Sequence, residues 1–313
     1  MSTRREATGV SGILAVDKPG GMTSHDVVNR VRRITGERRV GHAGTLDPMA
    51  TGLLVVLVGP ATRLAPYLTS ADKAYLARIV FGTQTDTDDA DGRVIATAPV
   101  PDEVADPFFA TGVIVSLVGV HEQVPPAFSA IKVGGKVAYR EARGGTTLEL
   151  QPRTVHVTQA VLTGIECTGE HAWDVRLAVS KGTYIRALAR DLGPALGSVA
   201  HLGALRRVRS GELDVTSACT LEQLEDAEDP TSLFVDPFAA LGLPVIDLDA
   251  ATSALVADGR RIGAAGERFS AGELVALRGG GRLLAVYGRA GDELVPRCII
   301  AGGVSSPDER RSA

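Results

Sequence analysis

Cysteine, aromatic rings, long apolar runs and surplus positive charge are all scarce in this chain, and each scarcity excludes something. Its 313 residues include three cysteines, Cys167, Cys219 and Cys298, with no Cys-x-x-Cys pair and no Cys/His cluster. So few, so scattered, they build neither a disulfide framework nor a structural zinc site. The longest apolar runs, such as residues 53–58, fall well short of the roughly 18 residues that a membrane span requires. Residues 1–9 mix charges of both signs and hold no apolar segment of signal-peptide length, so a cytoplasmic protein is expected. Lys and Arg number 33 against 37 Asp and Glu, a net charge of -4 with a pI near 5.9. That balance lacks the basic excess typical of a nucleic-acid binder.

What is present is an ordinary globular composition, 44% hydrophobic and 22% charged, long enough for one large domain and a smaller one. Residues 12–16 form a short apolar strand, and Asp17 to Ser24 make a Pro/Gly loop. Ser24 is expected to cap a helix with Val27, Val28, Val31 and Ile34 on one face. A turn-rich stretch, 41–52, runs straight into residues 53–58, a continuous apolar strand suited to the centre of a sheet. Another strand is expected at 74–81, then an acidic surface turn at 85–92, a helix from about 101–103 and a strand at 112–120. Residues 124–152, with Pro125-Pro126, Gly134-Gly135 and Gly144-Gly145, look like a mobile insertion. Two alternating strands at 154–166 and 173–179 suggest a hairpin-like pair, and 183–196 a helix.

The expected layout is a flexible tail at 1–11, a main domain at 12–240, a small β-rich module at 241–302 and a disordered tail at 303–313. Within it the charge is uneven. Arg30, Arg32, Arg33, Arg38 and Arg39 form one basic stretch; Arg176, Lys181, Arg186, Arg190, Arg206, Arg207 and Arg209 form a second. If they meet in space they attract phosphates; on charge alone, two solvated faces are the plainer reading.

Asp47 is the acid of greatest interest. It sits before Pro48, which favours extended geometry, between Gly44 and Gly52, which permit close approach by a bulky partner. His42 shares its loop, and the Lys18-Pro19-Gly20-Gly21 loop is a candidate neighbour. Asp-Pro is also a common turn starter, so the loop alone leaves both readings open. Thr87-Asp88-Asp89-Ala90-Asp91-Gly92 only partly matches a calcium loop, with Thr87 where the first acid belongs.

The stretch from Gly41 to Gly52, GHAGTLDPMATG, resembles the catalytic loop of the bacterial tRNA pseudouridine synthase B family. Four further motifs agree in type and order: DKPGGMTS from Asp17, DKAY from Asp72, SKGTYIR from Ser180 with Asp191-Leu192-Gly193, and Leu205-Arg206-Arg207. The resemblance spans residues 9–225. It implies an α+β fold, a mixed, largely antiparallel sheet flanked by helices, with a small β-rich C-terminal PUA-like RNA-binding domain. It implies that Asp47 is the essential aspartate, acting as nucleophile, that Tyr75 stacks on the target base and that Arg186 pairs with the catalytic carboxylate. His42 fills the space of a flipped base, Tyr184 and Leu205 line the uracil pocket, and Lys18 joins the substrate-binding set. The implied partner is tRNA, through its T stem-loop at position 55. A monomer with neither metal nor cofactor is expected.

The chemistry is consistent with those roles. Converting uridine to pseudouridine breaks the glycosidic bond, turns the base and rejoins the ribose to a ring carbon, which then loses a proton. No electrons are exchanged and no group is imported, so neither a redox cofactor nor ATP is needed. A carboxylate serves as nucleophile or stabilises the ribose cation, and a guanidinium beside it opposes the rise in pKa that burial brings. Base chemistry inside a helix needs the base flipped out, onto a ring such as Tyr75. Two rivals remain at this level. A non-catalytic RNA binder would use the same surface, and a carboxylate-dependent hydrolase would want a second acid, absent from the matched motifs. With the acids concentrated beyond residue 211, modest and salt-dependent non-specific RNA affinity is expected.

Overall fold

A computed structural model describes residues 8–129, 131–144, 146, 148–264 and 269–305. The expected tails at 1–11 and 303–313 therefore lie largely outside the described residues; 303–305 belong to the last strand, Glu293–Ser305. The fold is α+β; among the described residues the strand pairs Gly12–Lys18/Thr51–Val58, Arg153–Glu166/Ala172–Val179 and Ala172–Val179/Lys73–Phe81 are antiparallel, and Val245–Leu248/Leu274–Gly279 is parallel. The chain divides into two compact units that do not follow chain order. One runs to Ala71 and resumes at Arg209; the other is Asp72–Val208.

In the first unit the fully apolar run becomes the buried strand Thr51–Val58. Gly12–Lys18 pairs with it from Gly12↔Val58 to Lys18↔Gly52, and Val40–His42 pairs with it from Val40↔Val58 to His42↔Val56. The helix Ser24–Thr35 buries Val27, Val28 and Val31, as its spacing predicts. Its cap is Thr23, one residue earlier than expected: the Thr23 hydroxyl takes the Asp26 amide, and the Asp26 carboxylate takes the Thr23 amide. Five strands close the chain in the order Val245–Leu248, Leu274–Gly279, Arg282–Ala290, Glu293–Ser305, Ile262–Gly263. The first two are the parallel pair. One face of this sheet buries Val256, Val275, Leu277, Ala285 and Tyr287. Ala276, Leu283, Val286 and Ile300 join Ile13, Leu53, Val55 and Leu57 in a single core.

In the second unit the strands run in the order Ala200–Ser210, Lys73–Phe81, Ala172–Val179, Arg153–Glu166, Gly119–Gln123. The expected strand at 112–120 is a helix for half its length. Pro107–Ser116 is helical because Asp106 caps the Phe108 and Phe109 amides and Pro107 occupies the first turn. Only Gly119–Gln123 is strand. The Ile185–Ala195 helix buries Ile185, Arg186, Leu188, Ala189 and Leu192. Within 124–152 the structure has a two-strand ladder, Lys132–Val133 with Lys136–Val137, and the short helix Ala138–Arg143. Among the described residues, no helix is long and apolar enough to cross a membrane.

Candidate active site

The Asp47 loop is fixed through the backbone on both sides of the acid. Before it, the buried Ser24 hydroxyl donates to the Leu46 carbonyl at 3.0 Å and accepts from the Leu46 amide at 2.9 Å. After it, the Pro48 carbonyl accepts from the Gly21 amide at 2.9 Å and from the Lys18 ammonium at 3.2 Å. Asp47 itself turns the chain, its carbonyl accepting from the Ala50 amide. Gly44 and Gly52 on either side take φ values of 96° and 95°, which a side chain would strain. Asp47 is half-buried, and His42 lies at the end of the Val40–His42 strand in the same connection.

Lys18 is fully buried, with its ammonium donating to the carbonyls of Pro19, Met22 and Pro48 at 2.7–3.2 Å. It thereby ties the Pro-Gly-Gly loop to the Asp47 loop. A buried ammonium is tolerable because those carbonyls replace its water.

The second unit holds the other expected residues. Tyr75 is buried in Lys73–Phe81, opposite Leu177. Leu205 is buried in the neighbouring strand Ala200–Ser210. Tyr184 stands at the helix entrance, where the Gln123 side-chain amide grips both its backbone groups: Tyr184 N–H donates to Oε1 at 2.9 Å, and Nε2 donates to the Tyr184 carbonyl at 3.1 Å. The Arg153 guanidinium lies 5.5 Å from the Tyr184 ring centre, within cation–π range. Arg186, 4% exposed, donates to the carbonyls of Thr87 at 2.8 Å and Phe128 at 2.9 Å. Its Nε lies 3.6 Å from Asp89 Oδ2.

The turn at 85–92 is thus no surface turn. Thr85, Asp88 and Asp89 are buried. Asp89 is oriented by the Thr87 hydroxyl at 2.5 Å and the Asp91 amide at 3.2 Å. Burial pushes the Asp88 carboxyl up from its usual range, against the opposing Arg190 and Arg186 charges. Lys73 moves the other way: burial, then the charges of Arg207 and Lys181, bring it down to about 8, with Asp72 opposing. Among the described residues, no group of three or more His, Cys, Asp or Glu side chains is arranged to hold a metal ion.

Ser24, Gln123, Asp89 and Arg190 were not singled out as site residues by sequence reasoning. Ser24 carries a usable signal inside its motif, but a helix-start serine reads as a cap. Gln123 offers none, and an acid run reads as solvated. The basic stretches are also partly neutralised: Arg30 makes a two-pronged pair with Glu225, both at 2.6 Å.

The family model for the TruB family pseudouridylate synthase N-terminal domain matches residues 32–185, and that for the tRNA pseudouridylate synthase B C-terminal domain matches 186–235. A curated tRNA pseudouridine synthase B of Thermobifida fusca is 45% identical over 296 residues, 93% of this chain and 99% of that protein. One of Nocardia farcinica is 43% identical over 297 residues, 95% of each. Among solved structures, an H/ACA RNP bound to a substrate RNA containing 2'-deoxyuridine aligns at 25% identity and a TM-score of 0.68, covering 92% of this chain and 84% of that one. A Cbf5-Nop10-Gar1 complex aligns at 26% identity with the same score, covering 95% and 86%.

Fold and matches together define an RNA-modifying isomerase of the pseudouridine synthase class. Within that class, the chain belongs to the TruB family.

Proposed function

We propose that this enzyme converts the uridine at T-loop position 55 of tRNA into pseudouridine, with Asp47 as the nucleophile. The observation that carries the reading is the two-sided backbone clamp on the Asp47 loop by Ser24, Lys18 and Gly21. Such a clamp fixes a reacting carboxylate without drawing on the carboxylate's own oxygens. The relatives named tRNA pseudouridine synthase B give the substrate class.

In this reading the target base leaves its stack and lies against the Tyr75 ring, while His42 occupies the vacated space. Tyr184 and Leu205 line the uracil site, and Arg186 is the cation of the reacting centre. Lys18 serves by bracing the loop from beneath. Asp47 bonds to the fragment freed when the bond between ribose C1' and uracil N1 breaks, and the bond to Asp47 is broken again as C1' joins C5. The ring turns, C1' bonds to C5, and the C5 proton leaves while N1 gains one. Atoms and electrons balance without oxidant, metal or cofactor. The enzyme works as a monomer in the cytoplasm, and the C-terminal five-stranded module is a second RNA contact.

A tritium-release assay on unmodified tRNA labelled at uracil C5 tests the reading. Wild type is expected to displace label from the ring, whereas free uracil would indicate hydrolysis. Asp47→Asn is expected to abolish release while binding the RNA within a few-fold of wild type. Substantial pseudouridine formation by purified Asp47→Asn would overturn the assignment.

A further inference from the structure

Arg186 has a neighbour one helical turn on that touches the same two stretches of chain. Arg190, on the same face of Ile185–Ala195, donates from Nη1 to Asp88 Oδ2 at 3.1 Å and from Nη2 to the Val124 carbonyl at 2.9 Å. Its Nε donates to Asp191 Oδ1 at 2.7 Å. Arg186 reaches Thr87 and Asp89 on one side and Phe128 on the other. Two guanidinium forks, i and i+4, therefore bridge residues 87–89 to residues 124–128.

The turn they hold is under load. Asp88 has φ 61°, a left-handed conformation that residues other than glycine seldom adopt. The residue is 8% exposed. Its backbone is tied down as well, the carbonyl accepting from the Leu202 amide and the Ala90 amide donating to the Leu202 carbonyl. A buried carboxylate deprived of its cation is strongly disfavoured. The direct relief is for Asp88 to swing towards water, releasing φ and dragging Thr87 and Asp89 with it. Those are the residues whose carbonyl and carboxylate meet Arg186.

We propose that Arg190 is a positioning residue for the reaction: by holding Asp88 and the Val124 carbonyl, it fixes the turn that aims Arg186. The inference rests on the reading of Arg186 as the cation of the reacting centre. Arg190 touches no reacting atom; its effect passes through the turn. A displacement of about 1 Å at a reacting group can lower a rate on the order of a hundredfold.

The test is kcat and KM for tritium release from unmodified tRNA, with Arg190→Met alone and in an Asp88→Asn background. Asparagine accepts the left-handed conformation and needs no cation. Arg190→Met is expected to lose about 10–100-fold in kcat with KM within about threefold. In the Asp88→Asn background the same change is expected to cost less than about threefold, because no buried charge is stranded. A wild-type kcat for Arg190→Met overturns the proposal. So does a loss confined to KM, or an equal loss in both backgrounds. Should Arg190→Met be insoluble, Arg190→Lys carries the test, since a lysine lacks the two forked nitrogens with which Arg190 reaches Asp88 and Val124. Its kcat is expected to fall, and a wild-type kcat overturns the proposal. Arg186→Met separates the two levels: if it keeps full kcat, the underlying reading fails, whereas a dead Arg186→Met beside a full-rate Arg190→Met refutes the inference alone.

Discussion

Around Asp47 the chain is held by backbone groups, with the Ser24 hydroxyl on Leu46 and the Lys18 ammonium and Gly21 amide on Pro48. Around Arg186 it is held largely by charge, with Asp88 and Asp89 buried against Arg190 and Arg186. The bonds to Leu46 and Pro48 do not run through the side chain at position 47. The second is sensitive to every charge in it, because an ion left alone away from water costs several times what a lost neutral hydrogen bond does. One region can therefore lose its chemistry and keep its shape, while the other loses both together.

The largest effect should come from the charged side. Arg186→Met strands Asp89 and is expected to lower unfolding stability by about 3–5 kcal/mol as well as stopping turnover, read by denaturant titration beside the tritium assay. Unchanged stability would break the contrast. On the other side, Ser24→Ala deprives the Leu46 amide and carbonyl of their partner and is expected to cost about 1–3 kcal/mol. Its turnover should fall while the salt dependence stays as in wild type; a changed salt dependence would break the contrast. Lys73 supplies a pH arm. Its amine titrates near 8 when folded against 10.5 when unfolded, so between those values the unfolded chain binds more protons and stability rises with pH. Wild type should therefore gain on Lys73→Met by roughly 1–2 kcal/mol from pH 8 to 10.5, seen in paired melting curves. A flat difference would put the amine in a solvated setting. Smallest is Glu225→Gln at the exposed Arg30 pair, whose slight effect on the melting curve is expected to fade in high salt.

Much of this was legible in the chain. The apolar run became the buried strand Thr51–Val58, and the one-faced Val27, Val28 and Val31 became the buried stripe of a helix. Gly44 and Gly52, read as permitting close approach, take φ values of 96° and 95°. Other features were hidden for physical reasons. Residues 112–120 are rich in β-branched side chains, yet a single Asp106-Pro107 cap sets them on a helical course to Ser116. Asp88 and Asp89 read as solvated because nothing local reveals arginines about a hundred residues later in the chain. Ser24 misled for a similar reason: Thr23 does the capping, which frees the Ser24 hydroxyl for a loop 22 residues away.

The core beneath the Asp47 loop has a consequence for the order of synthesis. Leu53, Val55 and Leu57 pack in one cluster with Leu283, Val286 and Ile300, which the ribosome makes long after them. Contacts so distant in sequence form late, since closing the intervening chain must precede any gain from burial. The loop that carries Asp47 therefore rests on a half-built floor until those strands are made. A chain that stops short before the final strands would leave apolar surface bare and fall to aggregation or proteolysis. The shape of the Asp47 loop is in that sense a report on whether the strands from Arg282 onward have formed.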